Sequence, residues 1–169
     1  RKTKENKKCL PGINIPESIN IKDEILPCLA NSSVVLLCVK STEFKKIAAE
    51  LNSHMSPEQK LIWATKGLDP DTGETFSETI KKNMPSLNKT AIISGPTFAE
   101  EVAKGKPTAI TLASENIQEL SDLATAMSSS LFRVYTSNDI VGVQLGGAFK
   151  NIIAIAAGAS DALSLGANA

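Results

Sequence analysis

The chain has 169 residues, 42% of them hydrophobic, which is enough for one core and part of a second. Eighteen basic residues balance eighteen acidic ones, and a net charge of zero gives no basis for nucleic-acid binding or attachment to an anionic membrane. Cys9, Cys28 and Cys38 are odd in number, widely spaced and without a CxxC pair; this argues against a disulfide framework or a zinc site and for a reducing, cytoplasmic compartment in which they serve as small apolar fillers.

No membrane span is expected, because Gly158, Ser160 and Asp161 interrupt the longest apolar run before about eighteen residues are reached. The charged opening from Arg1 to Lys8 reads as a solvated surface segment, and no apolar stretch follows it as a signal peptide would require. Leu10 to Ile19 is a proline-punctuated extended connection, and Ile21 to Leu29 a short amphipathic segment consistent with a helix. Val34 to Val39 is an unbroken β-branched and aliphatic run, the pattern of a parallel strand buried on both faces.

A helix is predicted over Glu43 to Asn52, capped by Ser41 or Thr42, then a strand over Lys60 to Thr65 closed by Lys66-Gly67. Thr75 to Met84 reads as the next helix, Thr90 to Ile93 as the third strand, and Phe98 to Lys104 as a short helix after Ser94-Gly-Pro-Thr97. Thr108 to Ala113, Asn116 to Ser128 and Leu131 to Tyr135 follow as strand, helix and strand. Strands alternating with helices imply an α/β architecture with a doubly wound, mainly parallel sheet, and ligands of such sheets bind beyond the carboxyl ends of the strands. Those ends read Lys40-Ser-Thr42, Thr65-Lys-Gly67 and Ser94-Gly-Pro-Thr97, small, hydroxyl or cationic groups suited to a phosphate-bearing ligand. Taken singly, Lys66 fits an ordinary surface lysine as well, and Ser94 to Thr97 fits plain turn chemistry with Thr97 as a helix cap. His54, in Ser53-His-Met-Ser-Pro57, reads as an exposed loop residue.

The last helix, predicted from Asp139 to Gly158 with Ser137 or Asn138 as its cap, is the most informative. Gly142, Gly146 and Lys150 fall at i, i+4 and i+8, with Gly147 and Asn151 on the adjoining row, so one face is nearly bare and ends in an amine and an amide. Glycine inside a helix costs about 1 kcal/mol relative to alanine, and close approach of a backbone or a flat ligand is the usual reason for it. Val141, Leu145, Phe149, Ile152, Ile153 and Ile155 surround Lys150 with apolar bulk. Two readings stay open: a core helix whose lysine extends its stem to water, or a buried amine of lowered pKa positioned to exchange a proton.

Trp63-Ala-Thr-Lys-Gly67, Ile93-Ser-Gly-Pro-Thr-Phe-Ala99, Pro107-Thr-Ala109, Gly142-Val-Gln-Leu-Gly-Gly-Ala-Phe-Lys-Asn151, Ala157-Gly-Ala-Ser-Asp161 and Gly166-Ala-Asn168 stand in the order and spacing of a known family. Together they resemble the bacterial NAD(P)-dependent glycerol-3-phosphate dehydrogenases along nearly the whole chain. The resemblance implies a Rossmann-like domain over residues 1–137 and, over residues 138–169, the first helices of an all-α substrate domain of the 6-phosphogluconate-dehydrogenase type. It implies interconversion of dihydroxyacetone phosphate and sn-glycerol 3-phosphate with NAD or NADP, in the supply of glycerol 3-phosphate for phospholipid synthesis, by an enzyme that forms a homodimer.

Carried over residue by residue, it makes Lys150 the catalytic proton donor and acceptor. Lys66, Gly95, Thr97 and Asn151 become substrate contacts, and Lys66, Ala99 and Phe44 cofactor contacts, with no metal. Lys40 stands where the family usually has proline, and Cys9 where it has an aromatic residue. The family's opening strand, its pyrophosphate-binding GxGxxG turn and the second half of its helical domain have no counterpart in this sequence, so the chain is expected to be a central segment that binds cofactor and substrate poorly by itself. The alternatives are a sister dehydrogenase of the 6-phosphogluconate or hydroxyacid type, and a non-catalytic module whose glycine-faced helix serves an interface.

Overall fold

The computed structural model describes residues 4–166; the ends of the Arg1 to Lys8 and Gly166 to Asn168 segments lie outside that range. The elements in chain order are α1 (Leu26–Leu29), β1 (Val34–Leu37), α2 (Ser41–Asn52), β2 (Lys60–Trp63), α3 (Phe76–Asn83), β3 (Thr90–Ser94), α4 (Ala99–Ala103), β4 (Thr108–Ala113), a 3-10 turn (Ile117–Leu120), α5 (Ser121–Met127), β5 (Phe132–Ser137) and α6 (Ile140–Ala162). The strands form one five-stranded sheet in the order β1-β2-β3-β4-β5. Before it, the chain from Lys4 makes turns joined by a bridge between Glu5 and Asn14.

The sheet is mainly parallel, as expected, but not wholly. β1, β2 and β3 run together, β4 runs against β3, and β5 follows β4. The connection after β3 holds only the five residues of α4, about 7.5 Å of helix, which is too short to carry the chain back along a strand for another parallel entry. The reversal aims α6. Ser137, the last residue of β5, pairs with Ala113, and Ala113 with Ile92 in mid-β3, so α6 starts level with the middle of the sheet and then reaches Ser94 at the carboxyl end of β3.

Alternation along the strands divides the core into two layers. Leu61, Trp63 and Ile92 face α2 and α3, where Phe44, Ala48, Leu51, Phe76 and Ile80 complete the packing. Ile62, Ala91 and Ile93 face the other way, against Ile110, Leu112, Leu120 and Ala124. Phe44 stacks on Phe76 at 4.1 Å between centroids and meets Trp63 edge-on at 6.2 Å. The Trp63 indole N–H is buried there without a hydrogen-bond partner.

Several local expectations are corrected. Among the described residues β1 is an edge strand paired with β2, and with Leu36 50% exposed it is not a strand buried on both faces. Cys9, Cys28 and Cys38 are exposed free thiols and fill no core. α2 starts at Ser41 with Lys40 as its cap residue, so neither Ser41 nor Thr42 caps it. α4 takes Phe98, not Thr97, as its cap residue, and α6 is capped by the Asp139 carboxylate instead of Ser137 or Asn138. The helix expected over Asn116 to Ser128 divides into the 3-10 turn and α5.

Gly158, Ser160 and Asp161 lie within α6 and do not interrupt it; its 23 residues are long and apolar enough, by length and composition, to cross a membrane. The core helix of a soluble protein passes the same test. Here α6 is mostly exposed, and Lys150 sits mid-helix at a cavity that the helix shares with the end of the sheet.

Candidate active site

Lys66 enters the site from the turn after β2, and Gly95 from the turn after β3, both at the carboxyl end of the parallel strands. The Lys66 Nζ donates a hydrogen bond of 2.8 Å to the Gly95 carbonyl, which ties the two turns together. α6 closes the site from the other side. Lys66, Ser94, Gly95, Gly146, Gly147 and Lys150 line one cavity of about 290 Å³.

Partial burial of the Lys66 ammonium, and then the like charge of Lys150, hold the Lys66 pKa below its ordinary value. Two cations therefore share one small cavity, an arrangement that favours an anionic occupant. Lys150 is exposed, and its Nζ lies 5.2 Å from the centroid of the Phe98 ring. The premise of a buried amine is corrected accordingly: α6 is exposed along most of its length, and Lys150 faces solvent, the aromatic ring and the charge of Lys66 across the cavity.

Gly142, Gly146 and Gly147 of α6 stand in three different surroundings. A Cβ at Gly142 would fall 2.1 Å from the Asp139 Oδ2, because the capping carboxylate folds back to accept the Gly142 N–H at 2.7 Å. A Cβ at Gly147 would fall 2.8 Å from the Ser94 Oγ, so this is where the helix rests on the end of β3. Gly146 has nothing within 4 Å of that point and opens onto the cavity.

Of the expected site residues, Lys66, Gly95 and Lys150 come together in this cavity. Thr97 and Ala99 line a neighbouring, larger cavity of about 410 Å³, which shares Ser94 and Gly95 as its wall and adds Leu36, Cys38 and Ala64. Asn151 is exposed on α6 and is not part of either lining. Phe44 is wholly buried between Trp63 and Phe76, so its side chain offers no surface to a ligand; it supports the sheet end from beneath. Sequence reasoning did not single out Phe98 or Thr111, nor Gln144, whose sequence signal is that it is the one polar side chain between Ile140 and Phe149.

The family model for the N-terminus of NAD-dependent glycerol-3-phosphate dehydrogenase matches residues 1–120, and that for its C-terminus matches residues 139–169. The chain belongs to the NAD-dependent glycerol-3-phosphate dehydrogenase family. Among curated relatives of that name, with NAD(P)+ as stated cofactor, the protein of Nitrosococcus oceani is 43% identical over 98% of this chain and 48% of its own length. That of Mannheimia succiniciproducens is 42% identical over 98% of this chain and 50% of its own length. The chain thus spans about half the length of the curated relatives it matches. The crystal structure of a glycerol-3-phosphate dehydrogenase from Coxiella burnetii superimposes with a TM-score of 0.85 at 34% identity, over 98% of this chain and 50% of that one. The Rossmann-like sheet followed by the start of a helical domain is the fold of that glycerol-3-phosphate dehydrogenase.

Proposed function

We propose that this chain carries the proton-transfer centre of an NAD(P)-dependent glycerol-3-phosphate dehydrogenase that interconverts dihydroxyacetone phosphate and sn-glycerol 3-phosphate. The observation that carries the reading is the meeting of Lys66 and Lys150, from opposite ends of the family pattern, in one cavity at the carboxyl end of β2 and β3. Its volume of about 290 Å³ suits a three-carbon phosphate beside the nicotinamide end of a cofactor, and its lysines suit the charge of both. No glycine-rich phosphate cradle occurs among the described residues, so the fit concerns the nicotinamide end only.

When bound, a reduced nicotinamide supplies the hydride that reaches the substrate carbonyl carbon. Lys150 gives its proton to the carbonyl oxygen as charge develops there, and takes it back in the oxidation direction. Lys66 stabilises the same developing oxyanion and the substrate phosphate from the sheet side, held in place by the Gly95 carbonyl. The Phe98 face confines the Lys150 ammonium to the cavity mouth. In this proposal Gly95, Thr97 and Asn151 contact substrate, Lys66 and Ala99 contact the cofactor, and the domain boundary falls at residues 137 and 138. A cytoplasmic homodimer supplying glycerol 3-phosphate for phospholipid synthesis completes the reading.

The test is NADH and NADPH oxidation with dihydroxyacetone phosphate, on the full-length protein and on its Lys150→Ala variant. Turnover is expected to fall by about 10²- to 10⁴-fold while NAD(P)H binding is retained. A matching loss of cofactor binding would contradict the role given to Lys150.

A further inference from the structure

Only Ile140 and Gln144 are buried among the residues of α6, and Gln144 is 2% exposed although it carries a primary amide. Its Oε1 accepts the Ser77 N–H at 3.0 Å, while its Nε2 donates to the Ser77 Oγ at 2.8 Å and to the Ile140 carbonyl at 3.3 Å. The orientation of the amide is dictated by its partners, since an N–H faces one end and a carbonyl the other.

Ser77 stands in the first turn of α3. There Thr75 caps the Glu78 N–H, and the Ser77 N–H is one of the donors that no helical carbonyl can satisfy. α6 therefore completes the cap of α3. A buried side chain from one helix is committed to the end of another, and a helix that is otherwise exposed is fixed in azimuth and height at that point.

We propose that Gln144 is the positioning residue that sets where α6 delivers Lys150, a role that rests on the reading of Lys150 as proton donor. Gln144 lies six residues before Lys150, about 9 Å along the helix, and Gly147 on Ser94 is the fulcrum between them. A tilt of about 15° about that fulcrum moves the Lys150 backbone, about 4.5 Å beyond it, by about 1.2 Å, and displacements of about 1 Å at a reacting group can cost about 10²-fold in rate. The Phe98 ring faces the far end of the Lys150 side chain and Lys66 acts on it by charge across the cavity, and neither holds its backbone.

The experiment compares Gln144→Met, Gln144→Glu, Ser77→Ala and Lys150→Ala in the full-length protein, with turnover normalised to folded enzyme by circular dichroism. Gln144→Met keeps the length but removes both polar ends, and is expected to lower kcat by about 10- to 100-fold with the KM for dihydroxyacetone phosphate and the Kd for NADH within about twofold. Gln144→Glu keeps an acceptor for the Ser77 N–H and should fall between wild type and Gln144→Met. Ser77→Ala keeps the main-chain bond and should lose less than Gln144→Met. A residue that mattered only for folding would lower the yield of folded enzyme without this graded fall in kcat.

Wild-type kcat in Gln144→Met, alongside an inactive Lys150→Ala, overturns the positioning role and leaves the proposed function standing. Normal turnover in Lys150→Ala overturns both. Should Gln144→Met fail to fold, unchanged kcat in both Gln144→Glu and Ser77→Ala overturns the proposal, and a graded loss in the two supports it.

Discussion

The aromatic cluster of Phe44, Trp63 and Phe76 and the helix α6 lie close to the same end of the sheet but are held by opposite means. The cluster is packed shut: Trp63 and Phe44 are 0% exposed and lie within one group of buried apolar residues. α6 is pinned by the buried Ile140, the partly buried Val143, one amide and one glycine contact, and Phe149, Ile152, Ile153 and Ile155 remain exposed on it. In dense packing many contacts together fix each side chain, whereas a helix held at a few points carries a displacement at any one of them along its length. Stability accordingly belongs to the cluster and the aim of the Lys150 side chain to the pins.

The comparison is broken most directly at Trp63. Trp63→Ala should cost about 3–5 kcal/mol of stability, measured by urea unfolding, and a loss below about 1 kcal/mol would remove the cluster from its central role. Gly95→Ala comes next. Its Cβ would fall 2.7 Å from the Ala109 carbonyl oxygen and 3.0 Å from the Ile110 Cα, both backbone atoms that cannot swing away, so about 1–3 kcal/mol is expected.

Two neighbours on α6 sharpen the contrast further. Gly146→Ala meets open space and should stabilise by about 1 kcal/mol, while Gly147→Ala must displace the Ser94 Oγ and should gain less or lose. Equal melting temperatures for the two variants would mean that α6 does not rest on Ser94.

The smallest effect concerns Lys66. Its lowered pKa leaves more free amine below pH 10 than an ordinary lysine has, so acylation followed by mass spectrometry should label it readily, and Lys150→Met should slow that labelling by removing the like charge. The unfolded chain holds this proton more tightly, so the same group makes the fold more stable as pH rises toward 10.5.

Much of the fold is legible in the apolar patterning: each strand run became a strand and the glycine-rich helix formed where its periodicity placed it. Strand direction was not legible at β4, because hydrophobic alternation is blind to polarity; the clue was the shortness of α4 against the sheet it would have had to cross. Lys66, Gly95 and Lys150 stand out at strand ends and on the bare helix face, where plain structural roles fit as well; the family resemblance singles them out as candidates, and the structure brings them to one cavity. Gln144 could not, because its partner Ser77 lies 67 positions away and only the packing of α6 across α3 joins them. The same lack of tertiary context made three exposed cysteines look like core fillers.

The Asp139 cap and the Gly147 contact fix the two ends of a helical segment whose phase is as important as its composition. Removing a single residue between them would turn Lys150 by about 100° around the helix axis and draw it back by about 1.5 Å, facing it away from Lys66. Surface loops of this chain can absorb insertions and deletions, but this stretch behaves like a screw thread, and a lineage could change its length only by whole turns.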